Sequence, residues 1–315
     1  MDTNQQTMTA DNANTKNEIP VPIPQAKAAA EGWVLDETIE DVDKSTNQLI
    51  FKKHGKAAWI IILACAVWWG MLWYFMATGG PLVKDDPREF GLIVPIFVLL
   101  GAYSVFKNKV LREFMQQFAL ANGMTYTQKG DASGLTGALF NLGHSHSMSN
   151  VVSGSFTDNN LSLFDYQYTE GSGKNSHTYT CTAAQIDYPS VLAPVLLTVD
   201  YQSFGGIVPF FGAWEKIKPE GNFDKNFDLY TKKEFEIEAL QIFSPDFMVK
   251  MLDQWPEFNL EFNGNKLTVF YNRTITKRAE LQKMFDLIKY LVVRIEPLAQ
   301  RMESSVKALE ALQNK

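Results

Sequence analysis

The chain has 315 residues, 46% apolar and 20% charged, which is the balance of a folded protein and excludes a largely disordered one. Its formal charge of −6 comes wholly from residues 1–50, where nine acidic side chains face three lysines, so the remainder sums to zero. A neutral folded part with no Lys/Arg cluster interleaved with aromatics gives no nucleic acid as partner. Cys65 in an apolar run and Cys181 in an expected strand exclude a disulfide framework.

Residues 1–50 read as a disordered acidic tail, rich in Asn, Gln, Thr and Ala and punctuated by Pro20, Pro22 and Pro24. Within it, Trp33 to Ile39 reads as solvated linker, with a docking peptide as the other reading. The polar start carries no signal peptide, so the first apolar run is expected to act as the insertion signal.

A transmembrane hairpin is expected over 51–106. Its first span, Ala57 to Thr78, carries no charge and at about 1.5 Å per residue crosses the roughly 30 Å hydrocarbon core. The second, Phe90 to Phe106, is uncharged but reaches only the lower limit of about 17 residues. Pro95 and this shortness leave open a buried or re-entrant segment, which would put the downstream domain on the opposite side of the membrane. Trp59, Trp73, Tyr74 and Phe90 lie near the apolar boundaries and read as interfacial anchors in the lipid bilayer, whereas Trp68 and Trp69 sit deeper and suggest helix packing. Lys52, Lys53 and Lys56 precede the hairpin and Lys107, Lys109 and Arg112 follow it, against Lys84 and Arg88 in the turn. This bias predicts both termini in the cytoplasm of a cell whose inner (plasma) membrane holds two spans.

The α+β fold class follows from the next stretch, a domain over 107–296. Val110, Leu111, Phe114, Phe118 and Ala121 at helical spacing predict that the second span continues as a rigid helix to Asn122-Gly123. Strands are predicted at Val151 to Phe156, Leu161 to Tyr168 and His177 to Ile186, forming an antiparallel meander with turns at Asp158-Asn159-Asn160 and Glu170 to Asn175. Alternation of Thr178, Thr180 and Thr182 with Tyr179, Cys181 and Ala183 predicts a half-buried sheet with Cys181 in the core. Residues 201–225 read as an apolar, turn-rich loop against the domain or the bilayer. A strand at Asn226 to Thr231 and a helix near Glu234 to Phe243 follow, then a helix capped by Ser244 with Pro245 in its first turn. Asn263-Gly264-Asn265 predicts a hairpin between Phe258 to Phe262 and Lys266 to Tyr271.

From Thr276 an apolar seam runs through Leu281, Met284, Ile288, Leu291, Ile295 and Leu298 to Leu312. Pro297 predicts a break near Glu296, so that 276–296 packs on the sheet and 297–315 forms a separate helical tail, with 298–312 available for self-association.

The sequence carries no catalytic constellation and calls for no cofactor. Gly171-Ser172-Gly173-Lys174 lacks both the glycine and the hydroxyl residue that a phosphate-binding loop needs, and reads as a β-turn. His144 and His146 are the clustered histidines and candidate metal ligands, with a polar surface turn as the plainer reading. Asp165, among Phe164, Tyr166 and Tyr168, reads as a buried carboxylate.

The run Asn150 to Thr182, with Gly154-Ser155-Phe156, Phe164-Asp165-Tyr166-Gln167-Tyr168 and Gly171 to Asn175, resembles a widespread bacterial family of membrane proteins without an assigned activity. Phe227 and the Leu240 to Pro245 segment echo it. The resemblance implies a short transmembrane anchor followed by an α+β domain, and transfers no catalytic residues. The functional expectation is a binding or scaffolding module for a membrane or cytoplasmic protein. The alternative is a membrane-bound hydrolase or metal-dependent enzyme using His144, His146 and Asp165.

Overall fold

A computed structural model describes residues 46–77, 88–156, 159–199, 214–219 and 221–313, with the side chains of 46–51, 53, 75–77, 88–92 and 299–313 outside the description. The acidic tail before Thr46, the turn between the spans, the turn at Asp158 and most of the 201–225 loop therefore lie outside the described residues. Two long helices lead into an antiparallel sheet flanked by helices, an α+β fold.

Helix α1 (Thr46–Ala77) begins eleven positions before the predicted span, because helical backbone resumes on both sides of a kink at His54 (φ −124°, ψ 17°). Helix α2 (Arg88–Ala121) runs unbroken through Pro95 and through the predicted junction at Phe106, as the apolar spacing across Lys107 anticipated. The two helices pair through buried Ala58 and Cys65, whose thiol points at the Pro95 carbonyl (3.9 Å), and through a stack of His54 on Phe106 at 5.3 Å. Both hold windows long and apolar enough to cross a membrane, His54–Tyr74 and Ile93–Ala121.

Among the described residues the strands are β1 (Thr125–Gly130), β2 (His144–Phe156), β3 (Asn159–Glu170), β4 (His177–Thr198), β5 (Trp214–Ile217), β6 (Asp228–Lys232) and β7 (Phe258–Tyr271). They follow the order β1-β2-β3-β4-β6-β5, and β7 also pairs with β4. Strand β4 is the hub. Leu161 to Glu170 of β3 pair with its first half, Val195 to Thr198 pair with β6, and its other edge takes β7 from Thr182 to Leu197.

Three sequence expectations change here. The Asn263-Gly264-Asn265 hairpin is absent: β7 continues through Gly264, whose φ of +59° serves an irregularity opposite Leu192 of β4 instead of a reversal. His144 and His146 stand at the start of β2, not in a turn, because the strand begins seven residues before Val151. Helix α5 (Arg278–Gln313) passes through Pro297 without the break, since a proline withdraws one helical hydrogen bond while the bonds on either side persist.

Short helices α3 (Glu236–Ile242) and α4 (Pro245–Gln254) join α2 and α5 on one face of the sheet. Pro245 opens α4 as expected and Ser244 stands at its N-cap, but its side chain makes no capping bond; its carbonyl accepts the first helical bonds, from Phe247 N (2.9 Å) and Met248 N (3.0 Å). Its hydroxyl instead receives the Arg294 guanidinium. The helix-side core holds Val110, Phe114 and Phe118 of α2 and Leu281, Met284, Ile288, Leu291 and Ile295 of α5 against Leu163, Ile186, Leu197 and Phe262 of the sheet.

The opposite face is not open to water, as a half-buried sheet would be. Residues 131–143 fold over Phe164, Tyr166, Tyr168, Cys181, Ala183 and Phe270, placing Leu139 and Phe140 in a second core. Polar ties hold this cover. Glu261 accepts from Ala138 N (2.6 Å), Gln185 Nε2 donates to Thr136 O (3.2 Å), and Tyr166 Oη donates to Phe140 O (3.3 Å). Gly137 (φ +143°) lets the backbone approach, since a Cβ there would lie 2.7 Å from the Glu261 carboxylate.

Candidate functional site

Ser104, Lys107, Asn108, Leu111 and Arg112 recur at helical spacing and form one stripe of α2, just below its exposed apolar half. That stripe walls a cleft of about 820 Å³. Its other walls are Gln128 and Lys129 of β1, the helix-side residues Ser149, Asn150, Asp165, Gln167 and Thr180 of the sheet, and the 273–280 segment leading into α5.

The floor is a polar chain that runs from half-buried Tyr126 and Asn150 to buried Asp165 and Thr182. Tyr126 Oη donates to Asn150 Oδ1 (2.9 Å), and Asn150 Nδ2 donates to Asp165 Oδ2 (2.9 Å). The Thr182 hydroxyl donates to Asp165 Oδ1 (2.6 Å) while accepting from Ile275 N (2.9 Å). Asn150 fits because it adopts φ +51°, at a register shift between Ser149 and Val152 that turns its amide toward the cleft. Burial pushes the Asp165 carboxyl up to about 6, against the opposing pull of the Thr182 and Asn150 hydrogen bonds. Burial also raises the Tyr126 phenol, and the Arg112 guanidinium pulls it back.

Above the floor the walls are cationic. Among the described residues, Lys107, Arg112, Lys129, Arg273 and Lys277 line the cleft with two carboxylates, Asp165 and Glu280. Arg273 lies over the Tyr271 ring at 5.0 Å, donates to its hydroxyl through Nε (2.7 Å), and stands 3.7 Å from Glu280. Lys277 reaches the same Glu280 oxygen at 3.5 Å.

Of the residues singled out from sequence, Asp165 lies in the cleft and the histidines do not. Asp165 belongs to the helix side of the sheet, whereas His146 lies against Tyr166 of the second core at 5.9 Å and its Nε2 meets Leu142 O at 2.9 Å. His144 Nε2 meets Gly171 O at 2.9 Å. No group of three or more metal-ligating side chains occurs among the described residues. Trp59, Trp73 and Tyr74 stand outward on α1 at 58%, 73% and 64% exposure. Trp68 and Trp69, expected to pack between helices, are also exposed, while the Phe90 side chain lies outside the description. The Gly171 to Asn175 stretch is the tight β3–β4 connection that was expected. Sequence reading missed the cleft because its walls come from segments far apart in the chain; the Ser104-to-Arg112 spacing was the one local signal.

The fold and cleft define an α+β domain carried on two helices apolar enough to cross a membrane, with a polar, cationic cleft where helix meets sheet. No family model matches the chain, and no curated protein matches it, so neither comparison supports the resemblance read from Asn150 to Thr182. Among solved structures the chain is similar to the crystal structure of the mycobacterial trehalose monomycolate transport factor A, TtfA, at 12% identity and a TM-score of 0.44, over 60% of this chain and 93% of that one. At that score the likeness carries no argument about function.

Proposed function

We propose that the chain is a two-span inner-membrane protein with both termini cytoplasmic, whose α+β domain acts as a binding or scaffolding module held at the bilayer surface. The observation that carries this reading is the division of α2. Ile93, Val94, Ile96, Phe97, Val98, Leu100, Tyr103 and Val105 are exposed, whereas Val110, Phe114, Met115, Phe118 and Ala119 are almost wholly buried in the domain core. A soluble protein does not leave so long an apolar stripe in water. One rigid helix thus supplies both a lipid-facing surface and a wall of the domain.

Retention of the full chain in the membrane pellet after alkaline carbonate, with an export-dependent reporter at Lys315 inactive, is the expected result. Release into the supernatant, or an active reporter, overturns the topology. Affinity capture from detergent extracts tests the module itself: a stoichiometric protein partner is expected, and its absence counts against scaffolding. Self-association through 298–312 belongs to the same reading, and crosslinking in membranes that yields monomers alone refutes it. The hydrolase or metal-enzyme reading needs His144, His146 and Asp165 to converge, which their places on the sheet do not support.

A further inference from the structure

Charge that orients a span accounts for Lys107 and Arg112, which directly follow the apolar half of α2. It does not account for Lys129 on β1, nor for Arg273 and Lys277 at the entry to α5, which the fold brings to the same cleft. The two carboxylates are differently engaged. Glu280 serves two of these cations at once, and both oxygens of Asp165 accept hydrogen bonds from the floor, from Thr182 and Asn150. Among the lining residues, cationic charge therefore exceeds anionic charge, and amide and hydroxyl groups such as Asn108, Gln128 and Thr180 add neutral donors.

We propose that this cleft binds a phosphate-bearing anion, the chemistry shared by an anionic lipid headgroup and a free phosphate. A guanidinium offers a planar fork of donors to phosphate oxygens and a lysine offers a point charge, and the cleft presents both kinds from three elements. The volume of about 820 Å³ exceeds what a bare phosphate fills and accommodates a headgroup with its glycerol. Ser104 and Lys107 place one wall immediately after the exposed apolar stretch of α2, the level at which headgroups lie if α2 spans. Only the lipid as source rests on the membrane-anchored reading; the site itself stands on the lining residues.

The test uses the full chain purified in a nonionic detergent, titrated by thermophoresis with dioctanoyl-phosphatidylglycerol, dioctanoyl-phosphatidylcholine and inorganic phosphate. Saturable binding of phosphatidylglycerol or phosphate is expected, weakened about fivefold by each of Arg112→Gln and Lys129→Gln, the attraction that one cation contributes near an anionic surface. Lys129 is exposed on β1, so its substitution keeps the test valid even where Arg112→Gln disturbs the fold. Tighter binding of phosphatidylglycerol than of phosphate assigns the lipid as ligand, and equal binding assigns the free anion. Equal binding of phosphatidylcholine, titrations that both substitutions leave unchanged, or no saturable binding of any probe overturns the proposal. Because every probe is soluble, that failure is distinct from a failure of carbonate extraction.

Discussion

Replacing Glu261 by Gln tests how the second face of the sheet is closed. Glu261 is 2% exposed, its Oε1 accepts from Ala138 N, and its Oε2 has no hydrogen-bond partner among the described residues. Burial therefore pushes the carboxyl from 4.5 up to about 7, against the pull of the Ala138 and Leu139 amides. The folded chain holds this proton to higher pH than the unfolded chain does. The stabilisation is thus fully present below about pH 4.5 and is lost as pH rises through about 7. At about 1.4 kcal/mol per pH unit between the two values, roughly 3 kcal/mol is at stake. For a domain of about 150–250 residues that is a fall in melting midpoint of roughly 6–12 °C. Near-UV circular dichroism melts of the detergent-solubilised chain from pH 4.5 to 8 measure it. Asp165 contributes in the same sense but only up to about pH 6, so the interval from 6 to 7 isolates Glu261. The Gln variant is expected to lose the slope in that interval; an unchanged slope refutes the account of a strained buried acid.

Thr182→Val leaves Asp165 without its 2.6 Å donor and Ile275 N without its acceptor, and is expected to destabilise by about 2–4 kcal/mol, more above pH 6 than below, in the same melts. Phe118→Ala empties a fully buried site where α2 meets Phe285 of α5 at 5.4 Å; a loss of about 3–5 kcal/mol is expected, and a loss below 1 would show that α2 is not part of the core. Gly143→Ala should cost more than Gly264→Ala: both have positive φ, but a Cβ at 143 falls 2.3 Å from Thr169 O whereas one at 264 meets nothing within 4 Å among the described residues. Comparable melting points would contradict the β2–β3 geometry.

The legible parts of this fold are those with a local period. The 3,4 spacing of Val110, Leu111, Phe114 and Phe118 marked α2 as core-bearing, and the Thr/apolar alternation around Cys181 assigned the two sides of β4. The illegible parts are non-local choices between local options. Positive φ at Gly264 suits a turn or a bulge, and only the length of β4 selects the bulge. Glu261 gave no sign of burial because its environment is the 131–143 cover, more than a hundred residues earlier in the chain. Asp165 was recognisable as a buried acid from its aromatic neighbours, but its partners Thr182 and Ile275 were not.

The shared strand β4 imposes an order on synthesis. When the chain has been made as far as Thr198, the β1–β4 meander is complete, but Ala183 must wait for Phe270 and Leu196 for Glu261 before the other edge of β4 is paired. Until then a long strand with few charges lacks β7 along that edge, and an uncovered edge of this kind is open to pairing with another chain. Closing that edge therefore depends on residues 258–271, in the last third of the chain.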